Sequence, residues 1–175
     1  MRLSVAISLA ISMLFVSTSG RAQAPAPGPE HQAMGFWIGT WEIEAQAHPN
    51  PLFPEGDYRA TMTAEWYRSG FNILCDYDWT GALGPYAELN VLGYDAGTGE
   101  YVIFGIDGFG GNSVFRGVRQ GNAWPYTMEM EVDGKPAVFR WTITNQSPGV
   151  ITWTSEVSVE GGPWILAGET RATRK

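Results

Sequence analysis

The stretch Tyr126–Ile143 reads "YTMEMEVDGKPAVFRWTI". Apolar and polar residues alternate on both sides of Asp133-Gly134, and an Asp-Gly pair between alternating segments is a strong signal for a two-residue hairpin. A turn at that point sets Met130 opposite Ala137, Met128 opposite Phe139, Tyr126 opposite Trp141 and Trp124 opposite Ile143. Glu129 and Arg140 fall on the other face. Strand side chains alternate with a period of two, so a slip of one residue would carry the whole apolar set to the polar face. The segment therefore reads as a half-buried antiparallel ribbon.

The same pattern continues outward along the chain, where "RSGF", "DAGTGE", "FGGN", "RQGNA", "QSPG" and "EGGP" punctuate short alternating segments. A Ser69-Gly70 turn pairs Trp66 with Ile73, Ala64 with Cys75, Met62 with Tyr77 and Ala60 with Trp79. The loop Ala96–Gly99 puts Val91 against Phe104 and Leu89 against Ile106. Gly110-Gly111 sets Ile106 opposite Phe115 and Phe104 opposite Gly117; Gly121-Asn122 brings Phe115 beside Met128 and Gly117 beside Tyr126. A three-residue loop at Gln146–Pro148 places Trp141 against Trp153 and Ile143 against Ile151, and Gly161-Gly162 pairs Val157 with Leu166.

At the front, "FWIGTWEIEA" (Phe36–Ala45) puts Trp37, Gly39, Trp41 and Ile43 on one face. No segment after residue 36 keeps a helical 3.6-residue period. The expected fold is all-β: one closed antiparallel up-and-down β-barrel of about ten strands, with a short helical or irregular segment before strand one. The last strand, Trp164–Thr173, is expected to pair with the first and leave no open edge.

The first residues read as an address rather than as fold. Met1-Arg2 supplies a positive charge, Leu3–Val16 is apolar apart from small serines, and "STSGRAQA" ends in small residues. That order is a secretory signal peptide, and the apolar run is shorter than the ~20 residues of a spanning helix. Cleavage after Ala22 or after Ala24 fits the small residues there. The expected division is 1–24 signal peptide, 25–33 Pro-rich linker and 34–175 barrel, giving a soluble periplasmic or secreted protein without a membrane span. A lone cysteine, Cys75, supplies no internal disulfide. The core must come from burial, for which 8 Trp, 7 Tyr and 8 Phe provide ample area.

Without Arg2 and Arg21 the chain carries 9 basic and 18 acidic residues, a net charge of −9. Nucleic acid and anionic membrane both need a basic patch, so this balance disfavours them as partners.

By these registers nearly every strand charge points outward: Arg59, Glu65, Asp76, Asp78, Glu88, Asp107, Arg116, Glu129, Glu131, Arg140, Glu156, Glu169 and Arg171. Between residues 60 and 170 the inward set holds no Asp, Glu, Lys or Arg except Arg119, beside a turn at the rim. An interior of that kind argues against acid–base catalysis inside the barrel. Its lining is expected to be Met62, Trp66, Tyr77, Trp79, Phe104, Phe115, Tyr126, Met128, Phe139, Trp141 and Trp153. Aromatic concavities with few polar groups suit small hydrophobic or amphipathic molecules, while the same residues could equally plug the lumen.

Other chemistry has weaker support. His31 reads as part of or close to the tether, and His48 as a strand end or loop, so no metal site is expected. Cys75 faces apolar neighbours as an inert thiol. Asp76 and Asp78 read as solvated strand charges. Glu88 opposite Asp107 is a like-charge pair, unfavourable unless spread apart or bridged by a cation. "GIDGFGGN" has no following helix to hold an anion and reads as a hairpin turn. For an enzyme, Arg119, Asp107 and Glu88 at the rim are the remaining contributors. Leu92, Tyr94, Tyr101, Ile103, Val114 and Val118 form an expected outer apolar patch suited to homodimerisation, to a protein partner, or to cover by "PEHQAMGF" (Pro29–Phe36).

Three segments carry a family resemblance: "FWIGTWEIEA", "LGYDAGTGEYVIFGID" followed by "FRG", and "GETRATR" at the end. Across roughly residues 30 to 174 the chain resembles the exported bacterial proteins grouped as domain of unknown function 1579. The resemblance implies a calycin-like barrel and brings no established activity. Calycins, including lipocalins, share a Gly-x-Trp on the first strand, matched by Gly39-Thr40-Trp41. They often stack a late arginine on that tryptophan, which points to Arg171 or Arg174. Gly39, Trp41 and Arg171 are accordingly assigned to a plug at one barrel end, although the register turns Arg171 outward. Nitrobindins, haem-binding relatives, use a C-terminal histidine ligand; no histidine follows His48, so no haem or other cofactor is expected.

Overall fold

The computed structural model describes residues 26–175, and the segment read as a signal peptide lies outside them. A five-residue helix, α1 (Pro29–Ala33), and one 3-10 turn (Met34–Trp37) lead into ten strands. These are β1 (Gly39–Ala47), β2 (Gly56–Tyr67), β3 (Asn72–Thr80), β4 (Tyr86–Asp95) and β5 (Glu100–Asp107), then β6 (Asn112–Gly117), β7 (Ala123–Val132), β8 (Lys135–Ser147), β9 (Val150–Val159) and β10 (Ile165–Arg174). Each pairs antiparallel with its sequence neighbour, and β1 pairs with β10 to close the barrel. The expected architecture is the observed one.

The Asp133-Gly134 hairpin forms as its sequence dictates. Asp133 and Gly134 both have positive φ, 52° and 74°, the conformation a two-residue turn needs to match strand twist. All four expected pairs across it are present, as are the four across the Ser69-Gly70 turn.

Three other turns differ. At β5–β6 the turn is one residue longer than Gly110-Gly111 implies: Asp107 pairs back to Gly111, and Ile106 lies opposite Asn112. The cause is the Asp107 carboxylate, whose Oδ1 accepts the N–H groups of Phe109 at 2.8 Å and Gly111 at 2.9 Å. Ile103, not Phe104, therefore shares the inner face with Phe115. The β4–β5 register is as expected, but both strands turn their other face inward. At β8–β9 the turn tightens to Pro148-Gly149 and a bulge takes up Gln146, so Ile143 faces Trp153 and Trp141 faces Ser155. This shift of two leaves the inner faces unchanged. At β9–β10 Val157 meets Ile165, and a bulge between Leu166 and Gly168 then restores the expected register, with Ser155 opposite Gly168.

One end of the barrel is closed by the N-terminal segment. Residues 29–33, assigned to the linker on sequence, form α1, and His31 is buried there between the rings of Phe71 and Tyr94. The reading of His31 as a tether or surface residue is thus corrected. Phe36 packs on Trp124, its ring centroid 4.6 Å away.

Arg174, rather than Arg171, completes this end. Its guanidinium carbon lies 4.7 Å from the centre of the Trp41 ring, and Nη2 donates to the Phe36 carbonyl at 2.7 Å. Trp41 Nε1 in turn donates to the Trp37 carbonyl at 2.7 Å. Gly39 lies at φ +135°, a conformation that residues with a side chain rarely adopt, and a Cβ there would also crowd Arg174 Cδ at 3.2 Å. Arg171 faces Glu44 and Thr152 on the outer wall.

Replacing Arg174 by Ala is expected to cost about 1–2 kcal/mol, from the lost ring contact and the hydrogen bond to a carbonyl. Replacing Arg171 by Ala should stay within about 0.5 kcal/mol, as for an ordinary surface change. Urea denaturation of the two variants measures the contrast.

Candidate site at the barrel mouth

Most of the lumen is filled. Phe115 stacks on Trp141 at 4.4 Å, with Phe139 edge-on to both. Met62 and Tyr126 are fully buried among them. Among the described residues, two adjoining spaces lie towards the end opposite Arg174. The outer one, about 170 Å3, opens at the barrel mouth between Ala45, Tyr58, Trp79, Tyr86, Glu88, Phe139, Trp141, Trp153, Ser155 and Thr170, with Phe53 and Leu83 from the mouth loops. The inner one, about 40 Å3, lies between Trp37, Tyr77, Trp79, Glu88, Asn90, Trp141 and Trp153. Trp79, Glu88, Trp141 and Trp153 border both. Larger concavities of about 780 and 960 Å3 are shallow grooves on the outer wall, lined largely by threonines and charged residues or by the turns around Trp164.

Glu88 overturns the expectation of a charge-free interior. The inverted face of β4 sends Tyr86, Glu88, Asn90 and Leu92 inward, opposite Trp79, Tyr77, Cys75 and Ile73 of β3. Asn90 Nδ2 donates to Glu88 Oε1 at 2.9 Å. Burial pushes the Glu88 carboxyl above its ordinary value and the nearby Asp107 charge adds to this; Asn90 and the indole of Trp79 act in the opposite sense. Trp79 Nε1 is itself buried and has no hydrogen-bond partner among the described residues. It faces the carboxylate closely enough to favour its charge but makes no well-formed bond to it. Burial also raises Tyr77 and Tyr86, with Glu88 contributing to each, and Tyr86 is pushed up to about 12. Tyr77, Trp79 and Tyr86 form a continuous stack, with centroids 6.0 and 6.2 Å apart.

The expected lining residues divide into three groups. Trp79, Phe139, Trp141 and Trp153 border the mouth cavity, and Tyr77 borders the inner space. Met62, Trp66, Phe115, Tyr126 and Met128 belong to the packing around and below these spaces. Phe104 is corrected to the outer wall, 50% exposed. The proposed outer patch also needs correction: Leu92, Tyr101 and Ile103 are buried and Tyr94 packs against the core, leaving only Val114 and Val118 outside. The outer apolar strip consists instead of Leu89, Val91, Phe104, Ile106 and Val114.

Other candidates are not brought together. Arg119 lies at the closed end over the Trp124 ring, far from the Glu88–Asp107 pair at the mouth. Cys75 is buried and its thiol is pushed up by burial, so it is no nucleophile at neutral pH. His48 Nε2 lies 3.3 Å from Glu169 on the surface. Among the described residues no cluster of three or more His, Cys, Asp or Glu is arranged to hold a metal ion, and no helix is long and apolar enough to cross a membrane.

The model of the family described as "Protein of unknown function (DUF1579)" matches residues 26–174. No curated protein matches the chain. The crystal structure of Rv2717c from M. tuberculosis is similar in fold, with a TM-score of 0.62 at 13% identity over 85% of this chain and 98% of that one. A de novo designed fluorescence-activating β-barrel has a TM-score of 0.47 at 14% identity, covering 82% of this chain and 97% of that one. EF1p2_mFAP2b bound to DFHBI has a TM-score of 0.46 at 12% identity, covering 83% and 98%.

The raised Glu88 carboxyl has a signed consequence. A carboxyl whose folded pKa exceeds its unfolded one favours the fold at low pH, and that advantage is lost as pH rises through the folded value. Relative to a Glu88→Gln variant, the unaltered protein should therefore lose stability as pH rises from its ordinary value of 4.5 towards neutrality. Melting temperatures of the two proteins across that range test this; a constant difference would contradict it.

Proposed function

We propose a binding role for this chain, which belongs to the DUF1579 family of proteins of unknown function: a small, mainly apolar or amphipathic molecule is held at the mouth of the barrel. The observation that carries this reading is the mouth cavity of about 170 Å3, walled by aromatic rings and reaching solvent beside Phe53 and Leu83. An engineered apolar cavity of about 150 Å3 is enough to hold benzene. The space is smaller than the ~300 Å3 at the lower end of drug-sized pockets. The ligand is therefore a single-ring compound, or a larger molecule that inserts one ring and leaves the remainder in solvent. A long acyl chain has no continuous channel to follow, because Phe115, Phe139 and Trp141 fill the middle of the barrel. The role is non-catalytic in this reading. Residues 1–24 support export, with the barrel acting in the periplasm or outside the cell.

A second reading rests on the outer wall. Phe104, Ile106 and Val114 are 50%, 55% and 42% exposed on adjacent strands. A contiguous apolar strip of this kind suits a protein partner or a second copy of the chain.

Toluene is the simplest probe of the first reading. It should bind saturably and alter tryptophan fluorescence, and Thr170→Phe, which places a ring in the mouth, should abolish the effect while leaving the melting transition cooperative. A fatty acid should not compete. Absence of toluene binding, with a sedimentation shift to dimer that Phe104→Glu reverses, would favour the second reading.

A further inference from the structure

The mouth cavity holds two polar groups that its aromatic walls do not answer. Glu88 has one oxygen occupied by Asn90, and among the described residues no well-formed hydrogen bond reaches the other, although the Trp79 indole lies close to the carboxyl. Trp79 Nε1 is buried and unpartnered beside it. One is an acceptor and the other a donor, and Trp79 and Glu88 border both the mouth cavity and the space below it. A buried donor or acceptor left without a partner is costly, so a ligand that completes both is favoured over one that completes neither.

We propose that the molecule held at the mouth is a neutral hydroxyl-bearing ring, phenol-like in chemistry, whose hydroxyl donates to Glu88 Oε2 and accepts from Trp79 Nε1. This rests on the binding role argued above and names its ligand class. A hydroxyl alone among small neutral groups gives one donor and two acceptor positions on one atom, which matches the pair. An ammonium group donates only, and would leave the indole N–H facing a positive charge. A carboxylate or phosphate would meet the charge of Glu88. A plain hydrocarbon ring gains the aromatic walls and leaves both polar groups unanswered. The ring of a phenol has the stack of Trp79 and Tyr86 on one side and Trp141 and Trp153 on the other.

Three probes of similar size separate the alternatives in the full chain: phenol, toluene and benzylamine, titrated calorimetrically. Phenol is expected to bind more tightly than toluene, although transfer out of water favours toluene. Glu88→Met and Trp79→Phe should each weaken phenol about tenfold or more, the loss expected for a hydrogen bond to a charged or buried partner. Each variant should therefore lower the phenol-to-toluene affinity ratio about tenfold or more, and saturable toluene binding that persists in them reports that the cavity is still present. Equal or tighter binding of toluene in the unaltered protein would overturn the proposal, since solvent would then be answering the polar pair. That ranking decides the matter even where a variant fails to fold. Tightest binding of benzylamine, lost in Glu88→Met, would overturn it in favour of a cation site. Failure of all three probes to bind would instead remove the binding role itself.

Discussion

The Asp107 carboxylate accepts two backbone N–H groups of its own loop, and the composition of the lumen depends on that arrangement. Holding Phe109 and Gly111 fixes a three-residue turn where two glycines would otherwise offer a two-residue one. An odd change in loop length exchanges the faces of a strand. With β6 anchored by Gly117 against Tyr126, β5 must present Tyr101 and Ile103 inward. The pairing of Asn90 with Gly105 then carries the same choice to β4. Gly105 suits that inner position because a Cβ would meet Ser113 Oγ and Asn90 Oδ1. The result is a lumen containing Glu88 and an outer wall carrying Phe104 and Ile106.

Much of the barrel is legible in the sequence because most strands declare their faces. On β2, Ala60, Met62, Ala64 and Trp66 alternate with Arg59, Thr61, Thr63 and Glu65, and only one face can be buried. On β7 and β8 the Asp-Gly turn and the alternation agree independently. Strands β4 and β5 offer no such choice. Leu89 and Val91 lie on one face of β4 and Leu92 and Tyr94 straddle the other; Phe104 and Ile106 compete with Tyr101 and Ile103 on β5. Hydrophobicity cannot rank two apolar faces, so the turn decides, and the turn is governed by an aspartate side chain rather than by the adjacent glycines. The bulges at Gln146 and Ala167 likewise shift the register within a strand, which the turn residues alone do not record. The candidate site is the least legible part, since Glu88, Asn90 and Tyr86 all lie on a strand with two apolar faces, whereas Trp79, Trp141 and Trp153 lie on strands whose faces are clear.

Closure makes the barrel one-ended. Arg174 reaches its position on Trp41 only because β10 pairs with β1 in full register and Gly39 leaves room for its stem. That contact joins the last strand to the 3-10 turn through the Phe36 carbonyl, and the turn brings Trp37 beneath the inner space. The closed end, the packed middle and the narrow mouth follow from the same set of aromatic side chains. A ten-stranded barrel is wide enough to hold a cavity, but here tryptophans and phenylalanines reduce it to the volume of one ring.

Within that reduced volume the polar pair is the feature that packing alone does not account for. An apolar residue at position 88 would complete the core without the desolvation of a carboxyl. The chain instead encloses an acid against a second acidic strand position, Asp107, and leaves an indole donor without a partner next to it. Local rules of core construction are most often broken where a site is built. Asn90 shows that the break is organised, because its amide holds one oxygen of Glu88 and thereby fixes the direction of the other. Among the described residues the larger outer-wall grooves contain no buried side-chain donor or acceptor without a partner. The weight of the structure thus falls on a small opening with a defined polar floor, and specificity there would come from two hydrogen bonds rather than from the extent of the apolar surface.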